Sequence, residues 1–200
     1  MESETLSRID KTLGIINTHP EYCFATHKEA KLAFREEAQR HSRGLEEKAR
    51  EKGRPYNPKD VKKIELAMDK SMNIAWDYLA THGIDISSLA RLGNIITPDT
   101  SPNPSFRRGN NLSFGGFVPP ASDNVIFEVN SLIEFLNSDS VHPVIRAAEA
   151  HLDLVRIHPY GDGNGRAARL LQDFCLEERG YPPAMIPLSD RKLYHNIIFI

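Results

Sequence analysis

The sequence predicts a mainly helical protein, a helical bundle with one β-hairpin, and three features carry that prediction. Apolar residues recur at three- and four-residue spacing along most of the chain. Proline and glycine gather at the breaks between those stretches. Signals for paired strands are confined to residues 105–117.

Taken in order, residues 5–17 place Leu6, Ile9, Leu13 and Ile16 on one helix face, and Pro20 ends it. Residues 24–53 are helical in pattern and highly charged; Glu46 to Lys52 reads as solvated on most faces. Residues 53–58 are a break. A third helix follows Asn57 as N-cap, with Pro58 in the first helical position. Its stripe of Val61, Ile64, Met68, Met72, Trp76 and Leu79 is core, and Gly83 closes it. Residues 89–97 form a short apolar piece. The Pro- and Ser-rich loop that follows, residues 97–104, is the expected boundary between a helical N-terminal region, 1–96, and a core, 97–200.

Residues 105–120 hold the turn-prone pairs Asn110-Asn111 and Gly115-Gly116 among aromatic and β-branched residues, which predicts the hairpin. Helices are expected over 123–136 and 143–157. His151 sits on the apolar stripe of the second and reads as a satisfied core histidine. A further helix carries Leu170, Leu171, Phe174 and Cys175 inward, and residues 180–183 end it. Ser189 or Asp190 is expected to cap a last helix that runs to Ile200.

Two hundred residues suit one domain, or a core with a helical extension. The net charge of -2 supplies no global basic field, so nucleic acid is not an expected partner. No apolar run approaches membrane-helix length, so no membrane partner is expected either. Cys23 and Cys175 are too far apart in sequence for metal-ligand spacing and do not suggest a disulfide scaffold. The polar start, Met-Glu-Ser-Glu-Thr-Leu, is unlike a secretory signal. A cytoplasmic protein is the expectation, with delivery into a host cell left open.

Chemistry concentrates in residues 158–169, His-Pro-Tyr-Gly-Asp-Gly-Asn-Gly-Arg-Ala-Ala-Arg. Gly161, Gly163 and Gly165 alternate with Asp162 and Asn164, which suits a tight loop with amides free to face a ligand. The loop opens into a helix, and a helix N-terminus is a ready anion site. Arg166 and Arg169 lie three apart on one helix face beside that anion. Asp162 offers a hard oxygen to Mg²⁺ next to a phosphate. His158 can accept or donate a proton near neutral pH.

This stretch resembles the signature of the Fic family, His-Pro-Phe-x-Asp/Glu-Gly-Asn-Gly-Arg-x-x-Arg, with Tyr160 for Phe the only departure. The resemblance implies a Fic fold. It also implies transfer of AMP from ATP to a Ser, Thr or Tyr hydroxyl of a target protein. His158 would then be the base. Gly161, Gly163, Asn164, Gly165, Arg166 and Arg169 would hold the nucleotide, and Asp162 would hold Mg²⁺. Arg107 or Arg108, the short strand with Phe114, Gly115, Gly116 and Phe117, and then Pro119-Pro120 look like the family's flap. In the family the flap binds the target segment by strand addition. Members also continue past a point equivalent to Ile200 with a helix that walls the adenine pocket.

Other readings of the motif fit less well. An EF-hand register would put Tyr160 first and Leu171 twelfth, where Glu is needed. A Walker A loop ends in Gly-Lys-Ser/Thr, whereas Gly165 precedes Arg-Ala. A Rossmann fingerprint needs a preceding strand, and the pattern before His158 is helical. A plain glycine loop accounts for the glycines but not for His158, Asp162 and the arginines. Removal of AMP from a target, transfer of another phosphate group, and a non-catalytic nucleotide-binding module stay open as alternatives.

Many Fic proteins also carry an inhibitory helix, Ser/Thr-x-x-x-Glu-Gly/Asn, whose Glu pairs with the second motif arginine. The nearest match here is Ser42-Arg-Gly-Leu-Glu46, followed by Glu47. An exposed charged helix explains that stretch equally well. The expectation is therefore that Arg169 is free for ATP and that the chain is not strongly self-inhibited, with a separate inhibitory protein as another source of control.

Overall fold

The computed structural model describes residues 2–19, 28–50, 58–99, 102–109, 117–138 and 140–198, with backbone alone for residues 2, 46–50 and 58–65. The helices among them are α1 (Glu2–Asn17), α2 (Lys28–Arg50), α3 (Pro58–His82), α4 (Ile86–Ile96), α5 (Val125–Leu136), α6 (Pro143–Ile157), α7 (Asn164–Glu177) and α8 (Arg191–Ile198). The mainly helical expectation holds. The central residues of the expected hairpin, 110–116, and the expected N-cap Asn57 lie outside the described residues. Phe117, just after them, makes an isolated β-bridge.

Several helix ends follow from local chemistry. Gly83 takes φ 75 after α3 and its amide donates to the Leu79 carbonyl at 2.7 Å. That is the left-handed stop glycine supplies at little cost. Pro143 opens α6, where His142 Nδ1 accepts from the Val144 amide at 3.2 Å. Residues 89–97 are not a short apolar piece but most of a full helix. Asp85 accepts from the Ser88 amide at 2.6 Å, and the Ser88 hydroxyl accepts from the Asp85 amide at 2.8 Å. This reciprocal cap starts α4 ahead of its apolar face. Those bonds hold the Asp85 carboxyl below the usual carboxylate range. Near the C-terminus, Ser189 and Asp190 fall in a single 3-10 turn, Leu188–Asp190, ahead of α8.

The most extensive helix pair is α6 against α7, with α4, α5 and α3 packed around it. Leu79, Leu89, Leu92, Val125, Val129, Leu136, Leu154 and Leu171 are fully enclosed in one cluster. Burying side chains of this size stabilises by about 1.5–3 kcal/mol each. The core therefore draws on both sides of residue 97. Trp76 is a packing residue, as expected: it meets Phe174 edge-on at 5.6 Å. The Arg35 guanidinium lies 4.1 Å over the Trp76 ring, and its Nε donates to Glu177 at 2.7 Å. One α2 arginine thus joins α3 to α7 by a cation–π contact and an ion pair. Among the described residues no helix is long and apolar enough to cross a membrane.

The buried Tyr160 ring lies flat against the backbone of Gly93 in α4. A Cβ at Gly93 would stand 2.3 Å from Tyr160 Cδ1 and 2.7 Å from Cε1. Gly93→Ala is therefore expected to displace the ring and destabilise the fold by about 1–3 kcal/mol. Denaturant unfolding measures this, and an unchanged midpoint would show that the ring is not confined there.

Candidate active site

α6 runs directly into the candidate base. His158 is its C-cap, at φ 51 and ψ 56, and is the one non-glycine residue with positive φ among those described. The left-handed conformation costs an L residue energy and persists where the surroundings impose it. His158 Nδ1 lies 3.1 Å from the Val155 carbonyl. A carbonyl only accepts, so Nδ1 carries the proton and Nε2 presents its lone pair. Burial is the main cause that lowers the His158 pKa to about 4. The bond to Val155 opposes this, the Arg107 cation adds to it, and Asp162 opposes it. The ring is neutral at pH 7, the state a proton acceptor needs.

The loop then folds over its own tyrosine. Tyr160 is fully buried, and its hydroxyl donates to the Leu89 carbonyl at 2.7 Å. Burial raises its pKa. Asn164 closes the turn from the other end. Its Oδ1 accepts from the Tyr160 amide and its Nδ2 donates to the Tyr160 carbonyl, both at 2.9 Å. The expected role of Asn164 as a phosphate donor is thus not what the structure places there: its side chain is buried and engaged within the loop. Gly163 takes φ 77, and a Cβ on it would lie 2.8 Å from Thr97 Cγ2 and 3.0 Å from Ile96 Cγ2. Glycine is needed there for both backbone angle and space.

Gly161 and Asp162 form the exposed tip. Asp162 Oδ1 accepts from the Gly163 amide at 2.7 Å, while 51% of its side chain stays exposed. Gly163, the N-cap of α7, provides no side-chain cap. The first-turn amides of α7 lack partners within the helix by their position, which favours an anion there. Among the described residues, no cluster of three or more His, Cys, Asp or Glu side chains could hold a metal ion. One exposed carboxylate suits Mg²⁺ only where water and substrate phosphates complete the shell, which is the usual mode for that ion.

The two arginines diverge. Arg166 Nη1 donates to the Ile96 carbonyl at 3.2 Å, and Nη2 lies 4.0 Å from Asp162 Oδ2. Arg169 faces α2 and α8. Its Nε donates to Ser42 Oγ at 2.7 Å, Nη2 to the Ser42 carbonyl at 3.5 Å, and Nη1 to Tyr194 Oη at 3.1 Å. The expectation that Arg169 is free is corrected: Ser42, from the stretch discounted as an inhibitory helix, is on it. The Glu46 side chain lies outside the described residues.

Phe114, Gly115 and Gly116 of the expected flap also lie outside the described residues, and Phe117 is half-buried. Arg107, not Arg108, contacts the backbone at His158 and Ile157. His151 is buried against Tyr194 Oη at 2.9 Å, in keeping with its core reading. Burial brings its pKa to about 4. Cys175 is buried, and Cys23 lies outside the described residues. Sequence reasoning did not find Thr97 or Tyr194, whose contacts span 65 and 25 positions.

Known proteins share this arrangement. Residues 83–176 match the Fic/DOC family. Protein adenylyltransferase Fic of Drosophila virilis is 41% identical over 119 residues, covering 57% of this chain and 24% of that protein. Its counterpart in Drosophila willistoni is also 41% identical over 119 residues, covering 23% of that protein. The chain spans about a quarter of the length of these relatives. A Fic domain-containing signaling protein of Bacteroides thetaiotaomicron superposes with a TM-score of 0.69 at 22% identity, covering 98% of this chain and 79% of that one. Fic-1 of C. elegans, residues 134–508, gives 0.70 at 20%, covering 98% and 64%. The chain shares its fold with these two proteins.

The site makes a prediction about protonation. His158 should titrate near pH 4, well below an ordinary histidine. The neutral base is lost only as pH falls through that value, so the ring stays uncharged from about pH 5 to 8. Titrating the imidazole resonances by NMR checks this, and a midpoint near 6.5 would contradict it.

Proposed function

We propose that the chain is a protein adenylyltransferase that moves AMP from ATP to a Ser, Thr or Tyr hydroxyl of a target protein. One observation carries the reading: a neutral histidine whose Nδ1 faces the Val155 carbonyl, which makes Nε2 its unprotonated nitrogen, sits at one end of a loop whose other end is a helix N-terminus without a side-chain cap. The similarity to proteins named protein adenylyltransferase supports it.

In this reading the phosphates of ATP meet the first-turn amides of α7, while Gly163 and Gly165 leave room for Thr97, Ile96 and Arg169 behind them. Asp162 would hold Mg²⁺, which supplies charge neutralisation on the phosphates. Arg166 adds a cation beside them. The target hydroxyl gives its proton to His158 Nε2 as its oxygen attacks the α-phosphorus. The α-phosphorus–oxygen bond to the β-phosphate breaks, and pyrophosphate leaves. The segment around Phe114, Gly115, Gly116 and Phe117 would hold the target backbone by strand addition.

Arg169 reaches a phosphate only by giving up Ser42, so α2 restrains it. Control from within the chain is then the first source to consider, ahead of a separate inhibitory protein.

The test is labelling of target protein with ATP. His158→Ala should abolish transfer and leave ATP binding nearly intact, since loss of a positioned base alone costs about a hundredfold to ten-thousandfold. Wild-type labelling by that variant would defeat the mechanism. Ser42→Ala should raise labelling by about fivefold, the equivalent of about 1 kcal/mol for one hydrogen bond. Unchanged labelling would mean that α2 does not restrain Arg169.

A further inference from the structure

Arg107 lies 51 positions before His158 in the chain, yet it holds the backbone on both sides of it. Its Nε donates to the His158 carbonyl at 2.7 Å and its Nη2 to the Ile157 carbonyl at 3.4 Å. Its main-chain amide donates to the Pro159 carbonyl at 2.8 Å. Three successive carbonyls, at the point where the chain leaves α6, thus accept from one residue. The last carbonyls of a helix lack internal partners and carry the negative end of its dipole, so a cation there is doubly favoured. The same guanidinium reaches the other way. Nη1 donates to the Gly109 carbonyl at 2.8 Å, and Nη2 to the Pro120 carbonyl.

We propose that Arg107 is a positioning residue: it locks the left-handed turn that aims the His158 ring, braced from its other side by the Gly109 and Pro120 carbonyls. The inference rests on the reading of His158 as the base, and it adds the residue that sets that base's direction. Ring direction follows from the turn. At φ 51 and ψ 56, Nδ1 falls on the Val155 carbonyl of the preceding turn, which selects the tautomer. A planar fork with five donors suits carbonyls on two sides, and a lysine ammonium cannot reproduce it.

Arg107→Gln and Arg107→Lys in the full chain test the proposal. Each is checked by thermal melting, and the Lys variant, which keeps the charge, carries the comparison if the Gln variant does not fold. Three quantities are read: transfer at saturating ATP, ATP affinity, and the ring ¹⁵N shifts of His158 without substrate. Both variants are expected to lower saturated transfer by about a hundredfold, the scale set by misplacing a catalytic group. ATP affinity stays near wild type, because the amides of α7 are untouched. In the wild type the shifts report a protonated Nδ1 and an unprotonated Nε2; in the variants both nitrogens move toward tautomer-averaged values. Folded variants with wild-type transfer and unmoved ¹⁵N shifts would overturn the proposal. So would equal losses of transfer and ATP affinity, because Arg107 would then support the whole loop and not the ring. If the wild type transfers nothing but the variants still move the shifts, the transferase reading fails and the positioning role stands.

Discussion

The connection between α6 and α7 is made through two left-handed residues, His158 at φ 51 and Gly163 at φ 77. That pair of turns is the constraint the rest of the molecule serves. Two closely packed helices must be joined by a few residues, and the chain does so by burying the middle of the connection. Tyr160 goes into the core, its ring on Gly93 and its hydroxyl on the Leu89 carbonyl. With the tyrosine anchored, His158 is held on one side and the exposed tip at Gly161 and Asp162 on the other. α4 matters to the site for this reason: it supplies the floor under Tyr160, and its last turn supplies Ile96 and Thr97 against Gly163.

The polar groups divide the work between holding and reacting. Asn164, Tyr160 and Thr97 bond within the loop or to α4 and shape it. In the proposed reading His158 Nε2, Asp162 and the α7 amides are the groups that meet nucleotide and target. Arg166 does both, reaching the Ile96 carbonyl on one side and Asp162 on the other. A buried tyrosine hydroxyl left without a partner would be costly, so the bond to Leu89 is what lets Tyr160 stand where the family signature has Phe. α2 and α8 complete the site at its far edge, where Ser42 and Tyr194 share the Arg169 guanidinium.

Much of this was legible in the sequence where the signal is local. Pro143 and the stripe from Val144 to Val155 placed α6 with both its ends, and Gly83 placed the end of α3. The twelve-residue motif named the candidate site because its residue types and spacing are those the proposed chemistry requires. α4 was under-read since its cap is Asp-x-x-Ser; the reciprocal bonds are as good as those of a Glu box, but the pattern is less familiar. The inward side chain of Asn164 and the choice of Arg107 over Arg108 were not legible. Each depends on a distant backbone carbonyl or on the course of the loop, and neither leaves a periodic trace. Ser42 was visible as a motif fragment, but only packing of α2 against α7 and α8 shows that it meets Arg169.

The central claim is that this loop presents a nucleotide's α-phosphorus to a hydroxyl beside His158. ATP labelled at either the α- or the γ-phosphate, incubated with the chain, Mg²⁺ and a cell lysate, tests it most directly. The account predicts that protein retains the α-label and not the γ-label, and that pyrophosphate is released in equal amount. Retention of the γ-label, or of neither while ATP is consumed, would contradict it.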